Sequence, residues 1–191
     1  MIVALDLLWF LIEGSTGSVA YGLVDEPAHF ATCLVLLLAL VTLLELRPSV
    51  AFLTAALVAS VAIDVDHIPA YLGWDGLTGT LPRPYSHSLL ALAVILLAAR
   101  AAGGRGRQIL LGAAFGVAAH LLRDLATGPG VPLLWPLHRA AVAVPYAIYL
   151  GALGLALLAI AARSHSARTA AGISGRRAAP PVPSAYPPSG S

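Results

Sequence analysis

Charge is the scarcest thing in this chain. Only 10% of its 191 residues are charged, against about 25% in a typical soluble domain. Lysine is absent, so all 11 basic residues are arginine. Cysteine occurs once, as Cys33 inside an apolar run. That excludes an intramolecular disulfide and any cysteine-ligated zinc site. No basic stretch precedes the first apolar segment, and Asp6 interrupts that segment, so no cleaved secretory signal is expected. What remains is 59% hydrophobic, with a mean hydropathy of +0.86. There is too little polar surface here to coat a water-soluble globule. The length suits one domain, or one helix bundle with a tail.

A membrane-crossing helix needs about 20 largely apolar residues. Five stretches approach this: Pro27 to Leu46, Pro48 to His67, Tyr85 to Arg100, Gln108 to Ala126 and Ala140 to Ala162. Pro48 sits where a helix can begin, because its missing N–H would be unpaired in a first turn anyway. Pro145 is expected inside the first turns of the last stretch, tolerated or bending it slightly. Residues 1–24 are either a sixth crossing, broken at Glu13 to Gly17, or a helix lying in the interface. The expected fold is therefore all-α, a polytopic transmembrane helix bundle with five or six spans over residues 1–162. From Arg163 the chain turns to Pro, Ser, Gly and Ala with scattered Arg. Residues 163–191 are expected to be a disordered, basic, Pro-rich tail.

Polar residues inside apolar segments are costly and face the protein interior or water. Here they fall at segment ends. His29 opens the first stretch. Asp64, Asp66 and His67 close the second, Arg83 and His87 open the third, and His120 and Asp124 close the fourth. Successive crossings alternate direction, so these four ends share one face of the membrane. Pairs three or four residues apart share a side of a helix. Asp25 with His29, Asp64 with His67, Arg83 with His87 and His120 with Asp124 all have that spacing. Asp66 falls on a different side from Asp64 in a regular helix. Ser86 and Ser88 read as capping or supporting residues at the third helix start.

Charge suggests the orientation. Arg47, Arg100, Arg105, Arg107 and the tail arginines face only Glu45 on the far side. The site side carries Arg83, Arg123 and Arg139 against Asp25, Glu26, Asp64, Asp66, Asp75 and Asp124. Basic loops stay in the cytoplasm. The expected location is a bacterial plasma (inner) membrane, with the site on the extracytoplasmic face and the tail cytoplasmic.

Histidine and carboxylate are ligands for zinc, manganese or iron. His29, Asp64, His67, His87, His120 and Asp124 are the candidate metal ligands. Asp66 and Asp124 are candidate bases, and Arg83 is a candidate phosphate contact through its planar fork. The set is large enough for one or two divalent ions, zinc first and manganese second. Two-metal sites serve phosphoester displacement. His138, beside Arg139, and His165 in the tail are set aside. Asp25 is a candidate for orienting His29 through its second ring nitrogen. Trp74, Trp135 and Tyr85 read as interface anchors. The Gly128 to Leu137 segment reads as a rigid loop over the site.

Four motifs together also resemble the YdjM-like family of inner-membrane metal-dependent hydrolases. They are Asp64-Val65-Asp66-His67, Arg83-Pro84-Tyr85-Ser86-His87-Ser88, His120-Leu121-Leu122-Arg123-Asp124 and the run Thr127 to Leu137. The resemblance covers Asp25 to Leu137. It implies a multi-pass helical protein, a metal-dependent hydrolase, and a site of His29, Asp64, His67, His87, His120 and Asp124. Asp25-Glu26-Pro27-Ala28 ahead of His29 departs from the family's simpler Thr-His start. By analogy the resemblance favours a phosphoester substrate. The expected partner is a membrane lipid or lipid-linked phosphoester, with no nucleic acid. The rivals are a metal or proton transporter and a non-catalytic scaffold whose metal staples the helices. Transporters bind near the bilayer midplane on broken helices, whereas these groups gather at one end.

Overall fold

A computed structural model describes residues 1–12, 18–77, 79, 81 and 83–177. Among the described residues all regular structure is helical, apart from one isolated bridge between Val131 and Val142. The α-helices are α1 (Ile2–Ile12), α2 (Ser18–Leu43), α3 (Val50–Ala62), α4 (Ile68–Tyr71), α5 (Leu89–Ala101), α6 (Gly104–Thr127) and α7 (Tyr146–Arg177). Among the described residues, four segments are long and apolar enough to span a membrane: Val24–Leu43, Val50–Ala70, Gly104–Thr127 and Tyr146–Ser166. The expected third crossing, Tyr85 to Arg100, is a shorter apolar helix of 13 residues, α5. At 1.5 Å per residue it is about 20 Å long. The fold is thus the expected all-helical membrane bundle.

Several boundaries differ from the sequence reading, each for a local reason. The first long helix does not begin at Pro27, because α2 starts at Ser18 and carries Pro27 inside it. The segment at Arg83 and His87 is not helical. The residue before a proline is pushed out of the helical region, and Arg83 precedes Pro84. Ser88 then caps α5, its hydroxyl accepting from the Ala91 amide. Pro145 does not sit within α7 but just ahead of it. Residues 140–145 are non-helical, and Val142 pairs with Val131 in both directions at 2.9 Å. The helix also extends past Arg163. α7 continues to Arg177, with the Arg163 guanidinium bonded to Glu45. The rest of the expected tail, from residue 178, lies outside the described residues, as does the Glu13 to Gly17 break. α1, at 11 residues or about 16 Å, is too short to cross alone. Met1 and Val3 lie beside Ala31 and Leu34 of α2 and Leu157 of α7.

The packing that positions the site is the α3–α6 pair. A Cβ on Gly112 would stand 2.3 Å from Phe52 O, and one on Gly116 would stand 2.2 Å from Ala56 O. Only glycine permits this approach. Small residues four apart are what let membrane helices pack closely without a hydrophobic driving force. The row continues one turn further. His120 follows Gly116 by four residues, and the next carbonyl along α3 is that of Ser60. There the histidine Nδ1–H donates to Ser60 O at 2.9 Å. The glycine row of α6 thereby sets the depth of a site residue. Around it pack Cys33, Leu37, Ala56 and Ala119, with Phe52 and Phe115 at the edge.

Candidate metal centre

The polar residues expected to converge do so at one end of the bundle. α2 brings Asp25 and His29, α6 brings His120 and Asp124, and the ends of α3 and the loop before α5 bring the rest. The chain after α3 tightens into a 3-10 turn, Ile63–His67. Three residues per turn align positions i and i+3, so Asp64 and His67 face one centre. His67 Nε2 lies 3.4 Å from Asp64 Oδ1. The other two histidines approach that same oxygen, His87 Nε2 at 3.1 Å and His120 Nε2 at 3.3 Å.

Asp124, fully buried, forms the second focus. Its Oδ2 lies 3.1 Å from His120 Nε2, 3.6 Å from His87 Nε2 and 3.0 Å from Arg83 Nη1. Its Oδ1 lies 3.4 Å from His29 Nε2. The His29 and His120 rings stack at 3.7 Å and 11°. Asp66 accepts from the Ser86 hydroxyl, and its Oδ2 lies 3.7 Å from His87 Nδ1. Arg83 is able to reach Asp124 because Gly128 leaves room: a Cβ there would stand 2.5 Å from Arg83 Nη2.

Tautomer logic shows what this arrangement suits. A carbonyl only accepts, so His120 Nδ1 carries the proton in its bond to Ser60 O. Nε2 of His120 then faces the oxygens of Asp64 and Asp124, with a lone pair in the neutral ring and a second N–H in the protonated one. Nε2 of His120, both oxygens of Asp124 and Oδ1 of Asp66 are buried without a hydrogen-bond partner. Buried polar atoms left without a hydrogen bond are expensive, and a neutral His120 at 3.1–3.3 Å from carboxylate oxygens would set lone pairs against each other. A cation held at the centre would turn those approaches into bonds. Ligand atoms within 4.8 Å of one another occur in three sets: Asp64, Asp66, His67 and His87; His29, Asp64 and His120; and His87, His120 and Asp124. All donors are nitrogen or carboxylate oxygen, which fits zinc or manganese. All six expected ligands, and the candidate bases Asp66 and Asp124, are thus brought together.

A second network, behind His29, was not read from the sequence. Arg123 is almost wholly buried, at 1% exposure. It donates to Asp25 Oδ1, to Asp6 Oδ1 at 2.8 Å and to His29 Nε2 at 2.9 Å. Tyr146 donates to Asp6 Oδ2 at 2.6 Å. Asp25, a candidate orienter of His29, is chiefly the partner of Arg123. Its Oδ2 stays 3.6 Å from His29 Nε2, beyond hydrogen-bond range. Glu26 adds a further carboxylate beside Asp64. An arginine inside the last turns of an apolar helix was the available signal for this network. Its partner Asp6 lies on α1, 117 residues away.

The residues set aside stay peripheral. His138 is exposed and accepts from the Ala140 amide, and His165 is exposed on α7. Tyr85 stacks on Trp135 at 4.5 Å. The Gly128 to Leu137 loop packs against the bundle, with Val131 fully buried and Leu133 O accepting from the Leu89 amide at 2.9 Å.

The sequence profile of the YdjM inner membrane protein family matches residues 24–179. No curated protein and no solved structure matches the chain.

Proposed function

This chain belongs to the YdjM inner membrane protein family, and we propose that it is a metal-dependent hydrolase acting on a lipid or lipid-linked phosphoester. The observation that carries the reading is the buried meeting of His120 Nε2 with the oxygens of Asp124, which make no hydrogen bond and have Arg83 as their cationic neighbour. A divalent cation held there supplies Lewis acidity, lowering the pKa of water and polarising the scissile group. His29, Asp64, His67, His87, His120 and Asp124 are the residues to hold it. Ser60 O fixes the tautomer of His120, and Arg123 fixes the ring of His29. Arg83, on the site's edge and partly exposed, is the group to receive a phosphate oxygen. Asp66, held by Ser86 and with one oxygen free of hydrogen bonds, is placed to take a proton from attacking water.

Two features support a lipid substrate and an outward site. A groove of about 280 Å³ between α3 and α5 is lined by Ala59, Ala62, Ala91 and Ile95, and it reaches Ser86 beside Asp66. An apolar chain fits such a groove while its head reaches the polar cluster. Arg83 and Arg123 are both spent on buried carboxylates. That leaves Arg139 as the one free arginine on the site side among the described residues, against the arginine-rich opposite end. The bias supports a site outside the cytoplasm.

The test is metal content of detergent-purified protein beside His67→Ala and His120→Ala, followed by turnover of lipid phosphoesters in mixed micelles. Stoichiometric zinc or manganese in wild type, lost or reduced in both variants and accompanied by phosphoester cleavage, supports the reading. Folded wild-type protein that takes up no metal on reconstitution removes it. For orientation, single cysteines at Leu137 and Gly103 should label from opposite sides. The Leu137 position must react from outside intact cells.

A further inference from the structure

The donor set is larger than one ion needs, and the excess is organised. Catalytic zinc takes about three protein ligands and an open position. This centre offers four histidines and three aspartates. Buried leftovers among them would be costly, because an unpaired ionised group deep in a bundle has neither water nor a partner.

Their ligand atoms fall into three overlapping sets among the described residues: Asp64, Asp66, His67 and His87; His29, Asp64 and His120; and His87, His120 and Asp124. Asp64 is the residue that joins the side around His67 to the side around His29. Asp64 Oδ1 alone lies within 3.4 Å of the Nε2 atoms of His67, His87 and His120, which belong to both sides. A carboxylate so placed is suited to bridging. The buried charge points the same way. Asp6, Asp25, Glu26, Asp64, Asp66 and Asp124 face only Arg83 and Arg123 within the cluster. Carboxylates outnumber guanidiniums there, and a net negative charge buried in a bundle favours divalent cations.

We infer that the centre holds two divalent ions bridged by Asp64. One ion sits with His67 and His87, beside Asp66, and the other with His29, His120 and Asp124. This rests on the metal-site reading above and adds its nuclearity and the assignment of each ligand. Two-metal centres place their ions about 3.5–4 Å apart and clamp both oxygens of a displacement at phosphorus. Arg83, on the Asp124 side, then marks where the phosphoryl group lies.

The experiment is metal stoichiometry of the full chain in detergent, saturated with zinc and freed of excess. Wild type should carry two ions per chain. His67→Ala and His29→Ala should each keep one, and Asp64→Asn should keep at most one, bound weakly. Because a variant can fail to fold, wild type loaded with manganese gives an independent reading by electron paramagnetic resonance. A spin-coupled pair signal is expected. One ion per chain with only an isolated-manganese spectrum overturns the pair while leaving a one-metal hydrolase standing. A coupled pair with no phosphoester turnover overturns the hydrolase reading while leaving the pair. No bound ion in folded wild type overturns both.

Discussion

Replacing Gly116 by alanine tests the frame that holds the proposed metal centre. The new Cβ would stand 2.2 Å from Ala56 O and 3.0 Å from the Ser60 amide nitrogen, both backbone atoms with no rotamer to yield. A comfortable contact is about 3.5 Å, so α6 must withdraw from α3 by roughly 1 Å. One turn along, His120 Nδ1 donates to Ser60 O over 2.9 Å. Lengthening that by roughly 1 Å takes it outside hydrogen-bond range. Two losses are expected. Overpacking of this kind costs about 1–3 kcal/mol of stability. Loss of the partner that orients a metal-ligating histidine lowers metal affinity by about 10–100-fold. Gly112→Ala is the comparison. Its Cβ would meet Phe52 O at 2.3 Å, so the stability loss is similar, but the strain falls two turns from His120. Zinc affinity is measured by competition with a chromogenic chelator, and folding by circular dichroism in the same detergent. A folded Gly116→Ala protein with wild-type zinc affinity would refute the idea that close α3–α6 packing sets the tautomer of His120.

Three further changes probe the supports of the bundle. Asp6→Asn removes one of two carboxylates facing buried Arg123. It should cost about 1.5–3 kcal/mol, seen as a lower Tm, and an unchanged Tm would show that α1 does not brace the site. Ser88→Ala removes the side-chain cap of α5 and should cost about 1 kcal/mol without changing metal stoichiometry. Tyr149→Phe breaks the buried 2.6 Å hydrogen bond to Thr32. It should cost about 1 kcal/mol, again with metal retained. Loss of metal in either of the last two, in protein that melts cooperatively, would mean the centre is coupled to the whole bundle rather than to its α3–α6 frame.

Parity made the site legible. Counting apolar segments and alternating their direction places His29, His67, His87 and His120 at one end whatever the helix lengths. The site therefore survives the errors in boundaries. α2 begins nine residues before Pro27, yet His29 remains at the right end. α5 begins only at Leu89, yet His87 still reaches Asp64. Spacing rules were less secure, because they assume regular helix. Arg83 and His87 were paired on a helix that is not there, and each reaches the centre by a different route. Asp66 was placed off-side by an α-helical angle, but the chain at Ile63–His67 is a 3-10 turn. What stayed hidden was long-range. The pairing of Asp6 with Arg123 and the meeting of His120 with Ser60 O depend on distances between helices, and no local pattern encodes those. Even so, the cause of the second contact is written in the chain. Gly112, Gly116 and His120 form a single row at intervals of four, and the same interval separates Phe52, Ala56 and Ser60. Once two glycines bring α6 against the carbonyls of α3, the next residue in that row must meet the next carbonyl. A histidine there has its Nδ1 proton assigned by the helix it packs on, and its Nε2 is left facing Asp64 and Asp124.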